Sequence, residues 1–94
     1  MVMYKICLFV VGQEVLAETP IVKSVRESLT DLFSNRYLLE VVDVAKHPQA
    51  ALDEGVYFTP TLLRALPEPK KKVVGNFSDK ARVLQALQLL QDGS

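Results

Sequence analysis

Two apolar runs of strand length, separated by one amphipathic stretch, constrain this chain more than any other feature. YKICLFVV (residues 4–11) and YLLEVVDV (residues 37–44) are almost continuous in apolar and β-branched side chains. That is the pattern of strands with covered faces. Between them Ile21, Val22, Val25, Leu29, Leu32 and Phe33 recur at spacings of three and four, with Lys23, Arg26, Glu27 and Asp31 interposed. One face of a helix is thus apolar and the other charged. Thr19 followed by Pro20 reads as an N-cap and a first helical position. Strand, helix and strand then join as a right-handed crossover with parallel strands.

The second half has a different grammar. In KHPQAALDEG, Pro48 starts and Gly55 stops a helix of about two turns. PTLLRAL (residues 60–66) and KKVVG (residues 71–75) are short strands joined by PEPK, close enough to pair as an antiparallel hairpin. Pro60, Pro67 and Pro69 fall at bends and strand ends, where a missing N–H costs little. Ser78 reads as the cap of DKARVLQALQLLQ, with Asp79 in the first turn favouring the helix dipole. Val83, Leu84, Leu87 and Leu90 share its apolar face. The order is β-α-β-α-β-β-α: an α/β fold of the thioredoxin-like architecture, one domain over residues 1–94. That architecture turns sharply before its third strand, and Thr59–Pro60 occupies the place where it accommodates a cis peptide.

Composition removes several function classes. Eleven basic and eleven acidic side chains cancel, so the chain has no global attraction to nucleic acid or to an anionic membrane. No run approaches the ~18–20 apolar residues of a membrane span, and no signal peptide is visible; a soluble, cytoplasmic protein is expected. One cysteine, Cys7, and one histidine, His47, exclude an intrachain disulfide, a Cys-x-x-Cys pair and a zinc site of the usual Cys/His kind within one chain. A thioredoxin-like oxidoreductase would carry its nucleophilic cysteine at the start of the first helix. Leu16, Ala17, Glu18 and Thr19 stand there instead. Cys7 reads as a core residue of the first strand and His47 as a solvated loop residue. Lys70, Lys71 and Lys72 read as a run that keeps the hairpin soluble. No cofactor is implied.

The segments VVDVAKHPQAA (41–51), TPTLLRALPEPKKKVVGNFSDKARVLQALQLL (59–90) and YKICLFVVG (4–12) together resemble the KaiB family of circadian clock proteins. Its most specific parts are Asp43-Val44 with Lys46 and Pro48-Gln49, Thr59-Pro60-Thr61-Leu62, Leu66-Pro67 with Pro69, and Gly75 with Ser78. The resemblance implies a non-enzymatic regulator. Such a protein binds the N-terminal ATPase ring of the clock ATPase KaiC, helps sequester KaiA and displaces the kinase SasA, whose sensor domain is itself thioredoxin-like. It also implies fold switching. A tetrameric ground state has the order β-α-β-β-α-α-β, and a rarer thioredoxin-like monomer is the state competent for KaiC. Lys46, His47, Gln49, Ala50, Asp53 and Glu54 would face KaiC; Pro60, Pro67, Pro69, Gly75 and Asn76 would control the fold.

Three positions depart from the family pattern. Glu40 stands where many relatives have a lysine associated with KaiA contact, and the reversed charge puts binding of KaiA in question. Gly55 stands where relatives often have a lysine facing KaiC, and Gly75-Asn76 where they have Gly-Asp. The chain reads as a divergent paralogue. ARVLQALQLLQ is poor in β-branched residues, so local preference favours the thioredoxin-like state. Two other functions stay open at this stage: a thioredoxin-like redox protein, which lacks its cysteine pair, and a SasA-like sensor domain detached from its kinase.

Overall fold

A computed structural model describes residues 3–91. The elements are β1 (Tyr4–Val10), a 3₁₀ turn (Gly12–Val15), α1 (Pro20–Phe33), β2 (Tyr37–Asp43), α2 (Pro48–Asp53), β3 (Thr61–Leu66), β4 (Lys71–Val74) and α3 (Lys80–Leu90). The sheet order is β2-β1-β3-β4. β1 pairs with β2 in parallel and with β3 antiparallel, and β3 pairs with β4 antiparallel. The crossover and the hairpin are those expected from the apolar runs.

Alternation along the strands divides the core in two. Ile6, Leu8, Val10 and Leu62 pack with Val22, Val25 and Leu29 of α1 and with Val83 and Leu87 of α3. Cys7, Phe9, Val42 and Leu63 point to the other side, where they meet Ala51 of α2 and Val56. Two long helices therefore cover one face, and a six-residue helix covers part of the other. The remainder of that second face is open. Leu38 and Leu66, both register partners of Lys5, are 60% and 48% exposed. A register shift between Lys5 and Ile6 leaves Ala65 as an extra residue on β3, the signature of a bulge.

Both helix caps differ in chemistry from the sequence reading. Thr19 is at the N-cap position of α1 but makes no side-chain cap. Its hydroxyl donates back to the carbonyl of Leu16 at 2.8 Å and lies 3.3 Å from that of Glu14, a local alternative always open to threonine. The cap of α3 is Asp79, not Ser78: its Oδ1 accepts the Ala81 N–H at 2.8 Å. Ser78 is drawn instead to Asn76, whose Oδ1 accepts its N–H at 3.1 Å and its hydroxyl at 2.8 Å. Along α3 the buried set is Val83, Ala86, Leu87 and Leu90; Leu84 is half-buried.

The residues expected to control the fold lie at joints. The peptides before Pro60, Pro67 and Pro69 are all cis. Pro60 precedes β3 and its carbonyl accepts the Gly75 N–H at 3.3 Å. Pro67 and Pro69 lie in the β3–β4 connection, and Gly75 and Asn76 follow β4.

Candidate partner-binding surface

The loop into α2 is organised by one carboxylate. Asp43, at the end of β2, is buried. Its Oδ1 accepts N–H bonds from Ala45 at 2.9 Å and Gly12 at 3.2 Å. Partial desolvation pushes its pKa up, but the amides of Ala45 and Gly12 and the nearby Lys46 outweigh this and hold it below the usual carboxylate value. The Asp43 carbonyl also accepts the N–H groups of Lys46 and His47, at 3.1 and 2.9 Å. These bonds fix how Lys46 and His47 leave the sheet. Pro48 then starts the helix, where its missing N–H would have been unsatisfied anyway.

α2 buries only Ala51. Lys46, His47, Gln49, Ala50 and Asp53 are all exposed, and Gln49 donates to Asp53 at 2.7 Å one turn away. Glu54 is placed differently. Both of its carboxylate oxygens lie 3.0 Å from the Lys70 ammonium, and its carbonyl accepts from Lys72 at 3.1 Å. The hairpin thus closes on the end of α2 through Glu54, and that residue is engaged within the fold.

Sequence reasoning missed three prominent side chains here. Leu52 is 56% exposed, Tyr57 74% and Phe58 69%. The connection that carries the two aromatics is pinned on both sides. Val56 is buried and donates its N–H to Ala51 at 2.8 Å. The Phe58 carbonyl accepts the Thr61 hydroxyl at 2.6 Å. The signal was present in the sequence: three apolar residues between Gly55 and Thr59-Pro60 leave no room for a strand, so some of them had to stand on a loop.

Beside α2, on the open half of the sheet, lies a groove of about 380 Å³ floored by Cys7, Phe9 and Val42. Burial and then the negative charge of Glu40 push the Cys7 thiol up to about 11. Its Sγ points to Glu40 Oε1 at 3.8 Å. A protonated thiol in mid-strand is not positioned as a nucleophile, so the redox reading gains no site. Among the described residues no group of three or more His, Cys, Asp or Glu could hold a metal ion, and no helix is long and apolar enough to cross a membrane.

The comparisons bear on the family and the fold. The KaiB domain family matches residues 7–89. The circadian clock oscillator protein KaiB of Prochlorococcus marinus (strain MIT 9303) is 43% identical over 70 residues, which are 74% of this chain and 59% of that protein. Its counterpart in Rippkaea orientalis is 41% identical over 70 residues, covering 74% of this chain and 67% of the relative. The match to the first of these therefore spans less than two thirds of that relative's length. Among solved structures, the N-terminal domain of Synechococcus elongatus SasA superimposes with a TM-score of 0.71 at 20% identity, covering 100% of this chain and 90% of that one. The fold is thioredoxin-like.

Proposed function

The chain belongs to the KaiB family, and from that premise we propose that it is a non-enzymatic clock regulator that binds the N-terminal ATPase ring of a KaiC-type partner through α2 and the loop after it. The observation that carries this reading is the exposed strip of Lys46, His47, Gln49, Ala50 and Asp53, continued by Leu52, Tyr57 and Phe58. Exposed aromatics on a pinned loop lose little freedom on binding, and aromatic anchors carry a large share of interface energy. Lys70 and Lys72 reach the end of α2 from the hairpin. Lys72, whose ammonium lies beside Gly55, supplies positive charge where the family resemblance leads one to expect a lysine.

The thioredoxin-like form is the binding-competent state in this reading and also the resting monomer, with the tetrameric alternative fold as a minor state. α3 has a side-chain cap, buries four residues and is built of good helix formers. Glu40 disfavours KaiA, and a SasA-type kinase would compete for the same ring. Size-exclusion chromatography with a KaiC-type ATPase and ATP tests the function. Co-elution is expected, weakened when Ala50 and Asp53 are replaced by bulky cationic residues. Independent elution from every cognate ATPase would reject it.

A further inference from the structure

We propose that the groove beside α2 is a docking slot for a cationic, amphipathic segment of a protein partner. The groove borders the surface proposed for the ATPase ring and shares Ala50, Asp53 and Glu54 with it; its lining carries the inference, and a peptide titration without the ATPase reads it separately. Its floor is apolar, from Cys7, Phe9 and Val42 of two adjacent strands. α2 shields only one end. At the other end stands Leu66, substantially exposed, with the exposed Leu38 beyond the groove as the other register partner of Lys5. The volume of 380 Å³ is near the lower end of the ~300–1,000 Å³ range of ligand pockets, space for one or two side chains.

Charge selects the occupant. The chain as a whole is balanced, but the groove is not. Glu40 from β2, Asp53 and Glu54 from the α2 region and Glu68 from the β3–β4 connection line it, against Lys5 and Lys70. Lys70 and Glu54 pair with each other, which leaves Glu40, Asp53 and Glu68 against Lys5. The net field is negative and comes from three separate elements around an apolar floor. A lysine or arginine side chain fits such a slot in a specific way. Its methylene stem lies along the floor and its charged head reaches the carboxylates. Apolar neighbours on the same segment would cover Leu38 and Leu66.

Nitrogen-15 NMR titration with a 12-residue amphipathic peptide of leucine and arginine tests the proposal, with a peptide carrying glutamate for arginine as its counterpart. The arginine peptide is expected to shift the amides of Cys7, Val42, Ala65 and Leu66, and to bind about tenfold more weakly to Glu40→Lys or Glu68→Lys and more weakly as salt rises. Retained spectral dispersion shows that each variant is folded; should Glu40→Lys not fold, the exposed Glu68→Lys carries the comparison. Equal binding of the two peptides, shifts that bypass the groove, or unchanged affinity in a folded variant would overturn the proposal.

Discussion

The guanidinium of Arg64 donates to the carbonyl of Leu90, the last residue of α3, at 2.7 Å. Its other terminal nitrogen donates to the Pro69 carbonyl at 2.6 Å, and Nε has no partner among the described residues. Arg64 is fully buried in mid-β3, and no salt bridge to it occurs among the described residues. The last carbonyls of a helix lack N–H partners and form its negative end. Arg64 answers both needs, and it ties the tail helix and the proline connection to the same strand.

Replacing Arg64 by lysine therefore breaks a two-pronged contact that an ammonium cannot reproduce. The expected loss is about 2 kcal/mol in urea unfolding. Amide hydrogen exchange should speed up most at residues 87–91 and at Lys70 and Lys71. A uniform change across the sheet would show that Arg64 does not act as a local clamp.

Much of this arrangement was legible in the residues, and the gaps have physical causes. The βαβ half followed from two apolar runs and one helical stripe, because periodicity reports burial directly. Pro48 and Gly55 bracketed α2 because each has a backbone requirement that few other residues share. Arg64 was invisible: a strand pattern gives the face of a side chain but not whether a helix end waits there to receive it. Ser78 and Asp79 are both capping types, and only the competing pull of Asn76 on Ser78 separates them. The groove could not be read because it depends on how little of the sheet α2 covers and on a bulge at Ala65.

The Cys7 thiol gives a pH signature. Its pKa rises from 9.0 to about 11, chiefly through burial and then through Glu40. The folded state holds this proton more tightly than the unfolded state. The associated stability is thus complete below pH 9 and declines between about pH 9 and 11. Across that window the parent chain should lose on the order of 2–3 kcal/mol more than Cys7→Ala. Glu40→Gln should lower the thiol pKa and make Cys7 react sooner with a thiol reagent as pH is raised.

Two glycines should respond differently to alanine. Gly55 has φ +68°, and an added Cβ would meet the Lys72 ammonium at 3.1 Å. Gly55→Ala should cost about 1–2 kcal/mol from the left-handed backbone; displacing Lys72 is easy because it is the tip of a flexible side chain. Gly75 has no such backbone, and its Cβ would lie 3.4 Å from the Phe77 ring. Gly75→Ala should fall within about 0.5 kcal/mol of the parent. Thermal unfolding of the two variants checks the contrast.

The loop after α2 separates stability from binding within three consecutive residues. Val56 is 6% exposed, whereas Tyr57 and Phe58 are mostly in solvent. Val56→Ala removes buried methyl groups from the smaller core and should cost about 1–3 kcal/mol. Tyr57→Ala and Phe58→Ala remove little buried surface and should leave unfolding within about 0.5 kcal/mol of the parent. If the ATPase ring seats on this loop, each truncation should nevertheless weaken its binding by roughly 30-fold, the effect of a lost aromatic anchor worth about 2 kcal/mol. Calorimetric titration of the ring, alongside urea unfolding of the same variants, resolves the two effects. Full affinity in a Tyr57→Ala/Phe58→Ala double variant would remove the aromatic pair from the interface and leave the exposed residues of α2 to account for binding alone.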